Sequence, residues 1–348
     1  VPNNAMSFVR LRNLIANPTF QRSANSLLFC LGRDVAGAPM YADLGEMPHL
    51  LVAGSTGAGK TIFVNSLILS FLYRNSPDDL KFILVDPKRV EFQIYNHFPH
   101  LLCPVIYDGQ RAVSALQWLI KEMERRFLVF SEVSARDIIS YNKMKSVIAS
   151  ESRLPYIVLI IDELADLMAS RGREMEGGIV RLAQMARATG IHLVLATQRP
   201  SVEVITGLIK ANITSRISFQ VASQVDSRTI LDMGGAEKLL GSGDMIFVSS
   251  KTGRSKRIQS AYISDKEVKR IVEFITKEQS QKEFTSPLSQ SLEEHLEEVK
   301  EQTGTFFETG EDQLYEEAKR AVIEAGKASA SLLQRRLRIG YARAARLI

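Results

Sequence analysis

The sequence is poor in cysteine and lacks any long apolar run. Its two cysteines, Cys30 and Cys103, lie far apart without a metal-binding or redox motif, which is typical of structural thiols in a reducing compartment. The longest apolar runs, such as residues 156–161, are far shorter than the ~20 residues that cross a bilayer, and no signal peptide is visible. Because the chain begins with Val1 rather than methionine, we expect a fragment whose membrane anchor would lie upstream.

The composition is that of a soluble globular protein. Hydrophobic residues make up 45% of the 348 residues and charged residues 24%, which suits a packed core with a solvated surface. The length exceeds one ordinary domain, so we expect one large α/β domain with smaller pieces. A net charge of +5 permits nucleic-acid binding, but only clustering of the charge would indicate it.

A phosphate-binding motif organises the chain. The apolar run 49–53 predicts a buried strand, the segment 54–61 fits G-x-x-x-x-G-K-[ST], and residues 62–69 have helical spacing. Glycines in such a turn let successive N–H groups face phosphate oxygens at the start of a helix. Lys60 would contact the β and γ phosphates, and Thr61 would bind Mg²⁺. The predicted ATP-binding residues are Gly54, Ser55, Thr56, Gly57, Ala58, Gly59, Lys60 and Thr61.

Polar side chains follow three further apolar strands. The run 156–161 ends in Asp162 and Glu163, as a Walker B element requires: Asp162 would hold the Mg²⁺ shell, and Glu163 would activate the attacking water. The alternative is an acidic helix start. Gln198 ends another strand, where a γ-phosphate would be sensed. Asp86 ends a third, and either ligand binding or a turn before proline would explain it.

The order of apolar segments predicts the fold class. Five apolar strands alternate with helical patterns, which indicates an α/β fold with a mostly parallel sheet and helices on both faces. Two short strands before residue 48 predict a hairpin that leads into this sheet, and two further strands are expected near residues 245–248 and 257–263. The five strands centre on residues 51, 83, 159, 194 and 218.

The last seventy residues change character twice. Residues 280–312 are rich in serine, glutamine and glutamate, which predicts a solvated acidic linker with no packed core. Residues 318–348 are strongly basic and show three short helical patterns with a tight turn before the last. This pattern predicts a DNA-binding helix-turn-helix, and a solvated cationic bundle is the alternative.

Long motifs make the chain resemble the motor region of the FtsK/SpoIIIE family of bacterial DNA translocases. The tail 333–341 is similar to that family's orientation-reading γ domain, a winged helix that would be truncated here. The motor motifs are MPHLLVAG, DPK, DELADLM, ARATGIH, ATQRPS, TGLIKAN and DSRTILD. In the same order, they lie at residues 47–54, 86–88, 162–168, 186–192, 196–201, 206–212 and 226–232.

The resemblance implies a RecA-like motor that forms a homohexameric ring around double-stranded DNA. ATP would lie between subunits, and Arg187 would act as an arginine finger in a neighbour's site. The implied catalytic residues are thus Lys60, Asp162, Glu163, Arg187 and Gln198, with Thr61 and Asp162 for the metal. The implied DNA-binding residues lie on pore loops and in the tail: Arg199, Lys210, Arg228, Arg335, Arg336, Arg338 and Arg343.

The implied function is ATP-driven pumping of chromosomal DNA during cell division, at the cytoplasmic side of the inner membrane. Site-specific tyrosine recombinases are further partners that the resemblance allows. An ATPase of a protein secretion system and a nucleotide-switched DNA-binding regulator are the alternatives. One departure is Gly177-Gly178, which we expect to interrupt the helix leading to Arg187. The expected domains are 1–48, 49–279, 280–312 and 313–348.

Overall fold

The structure is a computed structural model, and its two compact units, Val1–Glu293 and Glu294–Ile348, are described separately. The sheet, its helices and the core lie in the first unit. The residues that the structure describes are 8–96, 98–145, 153–249, 251, 253–279, 286–304, 318–320, 322–323, 329 and 336–337.

A nine-stranded sheet forms the centre of the first unit, in the order β2-β1-β9-β8-β7-β3-β6-β5-β4. The five strands from β7 to β4 run parallel, which confirms the prediction of a mostly parallel α/β sheet. They are buried along almost their whole length because both faces are covered. Their bounds are β3 His49–Ala53, β4 Leu80–Val85, β5 Tyr156–Ile161, β6 Ile191–Thr197 and β7 Ser215–Phe219.

Four antiparallel strands extend the sheet beyond β7. The two short N-terminal strands form the predicted hairpin, and β9 lies between that hairpin and β8. The later pair also agrees with the prediction, and β8 joins the parallel strands through β7. The bounds are β1 Leu28–Asp34, β2 Pro39–Asp43, β8 Asp244–Val248 and β9 Ser255–Ser260.

Helices cover the sheet, and the longest two pack on each other. Gly178 lies at this contact, since a Cβ atom placed there would come 3.1 Å from the Leu116 side chain. The helix continues through Gly177-Gly178, so the predicted interruption there is wrong; the break lies at Arg171, with φ −142° and ψ 37°. The helices are α1 Leu11–Ile15, α2 Pro18–Gln21, α3 Lys60–Leu72, α4 Gly109–Glu132, α5 Ile138–Lys145, α6 Leu164–Met185, α7 Gly207–Asn212, α8 Gln224–Leu231, α9 Asp265–Gln279 and α10 Pro287–Gly304.

Part of the segment predicted as an acidic linker is helical and packed. Helix α10 lies within it, Leu292 is fully buried, and Trp118 Nε1 donates to Ser291 Oγ at 3.1 Å. The expectation of a solvated linker over 280–312 is therefore wrong for the start of α10. Leucines at helical spacing among the glutamates give α10 an apolar stripe that the charge count concealed.

The predicted helix-turn-helix lies almost wholly outside the described residues. Arg335, Arg338 and Arg343 belong to that part of the chain, whereas Arg336 is described and exposed. Within the described ranges, no helix combines the length and the apolar character that a membrane crossing requires.

Candidate nucleotide-binding site

The predicted phosphate loop joins β3 to α3 at the centre of the sheet. Its backbone is fixed by neighbouring strands: the N–H of Gly54 donates to the carbonyl of Thr197 at 3.3 Å, and that of Ser55 to Gln220 at 2.9 Å. Gly59, which precedes α3, has φ 121°, and a Cβ atom there would come 2.8 Å from the backbone of Gly243. A glycine is therefore required at this turn, and the loop presents its backbone at the start of a helix.

Lys60 and Asp162 form a buried ion pair that links the phosphate loop to β5. The Nζ atom of Lys60 lies 2.7 Å from Asp162 Oδ1 and 2.6 Å from the Asp162 carbonyl oxygen, and Lys60 is only 3% exposed. Burial raises the pKa of Asp162, and Lys60 offsets this only in part because the Asp86 and Glu163 carboxylates raise it further. The two Walker motifs that were separated in sequence thus meet at one point.

Glu163 is fully buried and held by hydrogen bonds on both carboxylate oxygens. Its Oε2 pairs with Lys88 Nζ at 2.8 Å, and its Oε1 accepts from Thr197 Oγ1 at 2.7 Å and from the N–H of Gln198 at 3.1 Å. Burial alone would raise the pKa of Glu163, but these donors outweigh it and the net shift is downward. The side chain is therefore a carboxylate that is held in a fixed position beside the Walker pair.

Gln198 contacts the phosphate loop directly. Its Oε1 accepts a hydrogen bond from Thr56 Oγ1 at 2.8 Å, which joins the end of β6 to the loop after β3. A ligand that binds to the phosphate loop could therefore change the position of Gln198 and, through it, the end of β6. The predicted sensor position is thus adjacent to the nucleotide-binding loop, and its role stays a prediction.

Two site residues, Lys88 and Glu91, were missed by the sequence analysis. Both follow β4, at the same edge of the sheet as the phosphate loop, and Glu91 Oε1 accepts from Thr61 Oγ1 at 2.9 Å. Oδ2 of Asp86 accepts from the N–H groups of Glu91 and Phe92 at 2.9 and 3.0 Å, as the turn interpretation predicts, while its Oδ1 has no hydrogen-bond partner. The sequence signal for Lys88 and Glu91 was their position just after the carboxyl end of a predicted strand, where α/β sheets bind ligands.

The donor set suits a magnesium ion that is bound together with phosphates. Oδ2 of Asp162 and Oδ1 of Asp86 are buried without a hydrogen-bond partner, and the Thr61 hydroxyl and Glu91 add two more oxygen groups. Hard oxygen ligands are those that Mg²⁺ prefers. No cluster of three histidine, cysteine or acidic side chains able to hold a metal occurs among the described residues. Magnesium would therefore need oxygen atoms from the nucleotide as well.

Arg187 lies beyond the amino ends of the parallel strands, whereas the phosphate loop lies beyond their carboxyl ends. It is exposed on the 3₁₀ turn Ala186–Thr189, which precedes β6, whereas Gln198 follows β6. The seven residues of β6 span roughly 20 Å. Arg187 is thus separated from the site of its own chain by the length of a strand.

The predicted DNA-binding residues of the first unit differ in their availability. Arg199 is 72% exposed with Asp166 at 4.0 Å, and Arg228 is exposed on α8. Lys210 is held instead, because its Nζ lies 2.7 Å from Asp232, which also pairs with Arg216. Two of the three cations are therefore free of close ion pairs shorter than 4 Å within the described residues.

The central phosphate loop, the adjoining Walker B carboxylates and the parallel sheet define a P-loop NTPase fold. The chain belongs to the FtsK/SpoIIIE family, whose sequence profile matches residues 10–202. The profile of the Ftsk gamma domain matches residues 309–348.

Curated relatives match the chain along its full length. It is 52% identical to the DNA translocase FtsK of Caldanaerobacter subterraneus subsp. tengcongensis, and 49% to that of Clostridium tetani. Both matches cover all of this chain and 47% and 46% of the relatives, so the chain spans just under half of their length. The solved structure of the pCW3 conjugation coupling protein TcpA, a monomer form with ATPγS, is similar with a TM-score of 0.65 and 26% identity, over 78% of this chain and 75% of that one.

Proposed function

We propose that this chain is the motor of an ATP-driven translocase of double-stranded DNA. The observation that carries the proposal is the position of Glu163 beside the Lys60–Asp162 pair. All of this chain also matches part of proteins named DNA translocase FtsK. A nucleotide switch that does not hydrolyse would need the phosphate loop but not a fixed, ionised general base.

ATP would bind on the N–H groups that start α3, and the ATPγS in the TcpA structure supports nucleotide binding by this fold. Lys60 would exchange its contact with Asp162 for the β and γ phosphates, and Gln198 would detect the γ-phosphate through Thr56. Bound Mg²⁺ would neutralise phosphate charge. Glu163 would orient and deprotonate the water that attacks the γ-phosphate.

The position of Arg187 supports a ring of identical subunits. A residue at the far edge of the sheet can complete only a neighbour's site, so each interface would join two different surfaces of the same chain. Such head-to-tail contacts close into rings when the rotation permits. We propose a homohexamer with ATP between subunits.

DNA would pass through this ring without regard to sequence. Arg199, Lys210 and Arg228 would contact phosphates, which gives binding that does not depend on the bases. The tail cations Arg335, Arg336, Arg338 and Arg343 would belong to a γ domain that reads orientation. Chromosome segregation at division, an upstream membrane anchor and contact with site-specific tyrosine recombinases are further proposals from family membership.

Stimulation of ATP hydrolysis by duplex DNA tests the proposal. We expect the rate to rise on addition of linear duplex DNA, and a triplex-forming strand on that DNA to be displaced only when ATP is hydrolysed. Glu163→Gln is the control, which should bind ATP and do neither. ATP hydrolysis that ignores duplex DNA would contradict the proposal and favour a protein-pumping ATPase instead.

A further inference from the structure

The hydroxyl of Thr61 has a carboxylate partner that lies outside both Walker motifs. Thr61 Oγ1 donates to Glu91 Oε1 at 2.9 Å. A threonine hydroxyl has one proton and two lone pairs, so a hydrogen bond donated to a carboxylate leaves the lone pairs of the oxygen available to coordinate a cation. The same contact fixes the side-chain orientation, because a hydroxyl without an acceptor can rotate.

The Walker B carboxylate already has another partner. Oδ1 of Asp162 is engaged by Lys60 at 2.7 Å, while its Oδ2 has no hydrogen-bond partner. Asp162 is thus joined to the lysine of the phosphate loop, and the neighbouring threonine is joined to Glu91. The two adjacent loop residues have separate carboxylates as partners.

The loop after β4 holds Glu91 in place. Asp86 is fully buried, and its Oδ2 accepts the N–H groups of both Glu91 and Phe92. Phe92 anchors the other side of Glu91 because its ring is buried in the main core. Arg89 adopts a left-handed conformation with φ 59°, which closes the turn between Asp86 and Glu91. The backbone of Glu91 is therefore held by a constrained turn, which places its carboxylate beside Thr61.

We propose that Glu91 is a positioning residue of the magnesium site, which accepts the hydrogen bond of the Thr61 hydroxyl and so directs the hydroxyl oxygen toward the metal. The inference rests on the proposed binding of ATP with Mg²⁺. Partners of metal ligands commonly change metal affinity by about 10–100-fold when they are removed.

Metal titration separates this role from general support of the fold. We would measure binding of a fluorescent, non-hydrolysable ATP analogue by the full chain, first in EDTA and then with increasing Mg²⁺. For Glu91→Ala we expect the half-saturating Mg²⁺ concentration to rise about tenfold or more, with the affinity in EDTA unchanged within about twofold. Glu91→Gln keeps an acceptor oxygen and loses the charge, so its rise should be smaller. Glu46→Gln is the matched control, since Glu46 is exposed before β3, at the other edge of the sheet.

A second variant tests whether Glu91 acts through Thr61. In a Thr61→Ala background, we expect Glu91→Ala to add less than twofold to the Mg²⁺ requirement. Unchanged Mg²⁺ dependence of both Glu91 variants would overturn the proposal. So would an equal loss of affinity in EDTA and in Mg²⁺, which would mark Glu91 as a support of the loop. Failure of the wild-type chain to bind the analogue would instead overturn the proposed function, and this role with it.

Discussion

The guanidinium of Arg126 donates to the carbonyl of Thr189 at 2.8 Å, and so ties α4 to the turn that carries Arg187. The same Nη1 atom donates to Pro155 at 2.9 Å, just before β5. Arg126 is fully buried and paired with Glu122 on the same helix. A buried charge pair thus determines where the turn at the far edge of the sheet lies.

Removal of Arg126 should destabilise the protein strongly. Arg126→Ala leaves Glu122 buried without its inner partner and two carbonyls without a donor, so we expect the free energy of unfolding to fall by about 3–5 kcal/mol. Arg125→Ala is the matched control: Arg125 pairs with the same carboxylate but is 48% exposed, so its loss should cost less than about 1 kcal/mol. Urea denaturation measures both, and equal effects would contradict the assignment.

Lys60→Ala and Glu163→Gln should fail in different ways. Lys60→Ala removes the cation of the phosphate loop, so we expect weak ATP binding and no hydrolysis. Glu163→Gln keeps the loop and removes the base, so we expect ATP binding with hydrolysis reduced by at least about 100-fold. Filter binding with labelled ATP and a phosphate-release assay measure the two. Normal hydrolysis by either variant would refute the site.

Lys88 should set the acid limb of the pH–rate profile. The Lys88 ammonium helps to lower the pKa of Glu163, so its loss should raise that pKa, and Lys88→Met should move the acid limb to higher pH. The stabilisation from a lowered carboxyl pKa is present above the unfolded value, 4.5, and is lost as pH falls through the folded value. Because the folded pKa of Glu163 is higher in Lys88→Met, the stability difference between the two proteins should be greatest at neutral pH and shrink as pH falls through the Glu163 pKa of the variant. Profiles of hydrolysis and of thermal unfolding test this, with Lys266→Met on exposed α9 as the control.

Arg187 should act on a neighbouring subunit. Arg187→Ala and Lys60→Ala subunits should each be inactive alone, whereas a mixture should recover part of the ATPase activity because some interfaces hold both residues intact. The mixing ratio is varied in rings shown to contain both variants. Activity that never recovers in such mixed rings would contradict a shared site.

The pore cations should differ in their contribution to DNA binding. Each phosphate contact contributes about 0.9 to the slope of log affinity against log salt concentration. We expect Arg199→Ala and Arg228→Ala each to lower that slope by about one, since both side chains are exposed. Lys210→Ala should change it less, because Asp232 already neutralises the ammonium. Titrations at several salt concentrations measure the slopes, and an equal loss for Lys210→Ala would show that DNA displaces Asp232.

The sequence was sufficient for the parallel sheet and for the Walker residues because local patterns determine both. Apolar runs and a glycine-rich turn predict strands and a phosphate loop without knowledge of neighbours, and His49–Ala53 and Tyr156–Ile161 lie where those patterns place them. Asp162 and Glu163 could be placed at this end of β5 because they are the first two residues after the strand.

Contacts between distant segments could not be predicted in the same way. The roles of Lys88 and Glu91 follow from the placement of β4 beside β5, and that of Arg126 from the packing of α4 near the start of β5. Gly178 was interpreted from helix propensity alone, whereas its role comes from the close approach of α4. At α10, the high proportion of glutamate led to the prediction of a linker, although leucines at helical spacing indicated a helix with an apolar face.

The pairing of β1 with β9 has a consequence for synthesis of the chain on the ribosome. The β1–β2 hairpin is made before the parallel strands, yet β9, which lies between this hairpin and β8, is translated only after all five of them. Until then, β1 presents an open edge of the kind that templates association with other chains. Such long-range pairing also slows folding, since a large loop must close first. A nascent chain that ends before residue 255 would therefore expose the unpaired edge of β1. Synthesis of β9 adds the strand that covers this edge.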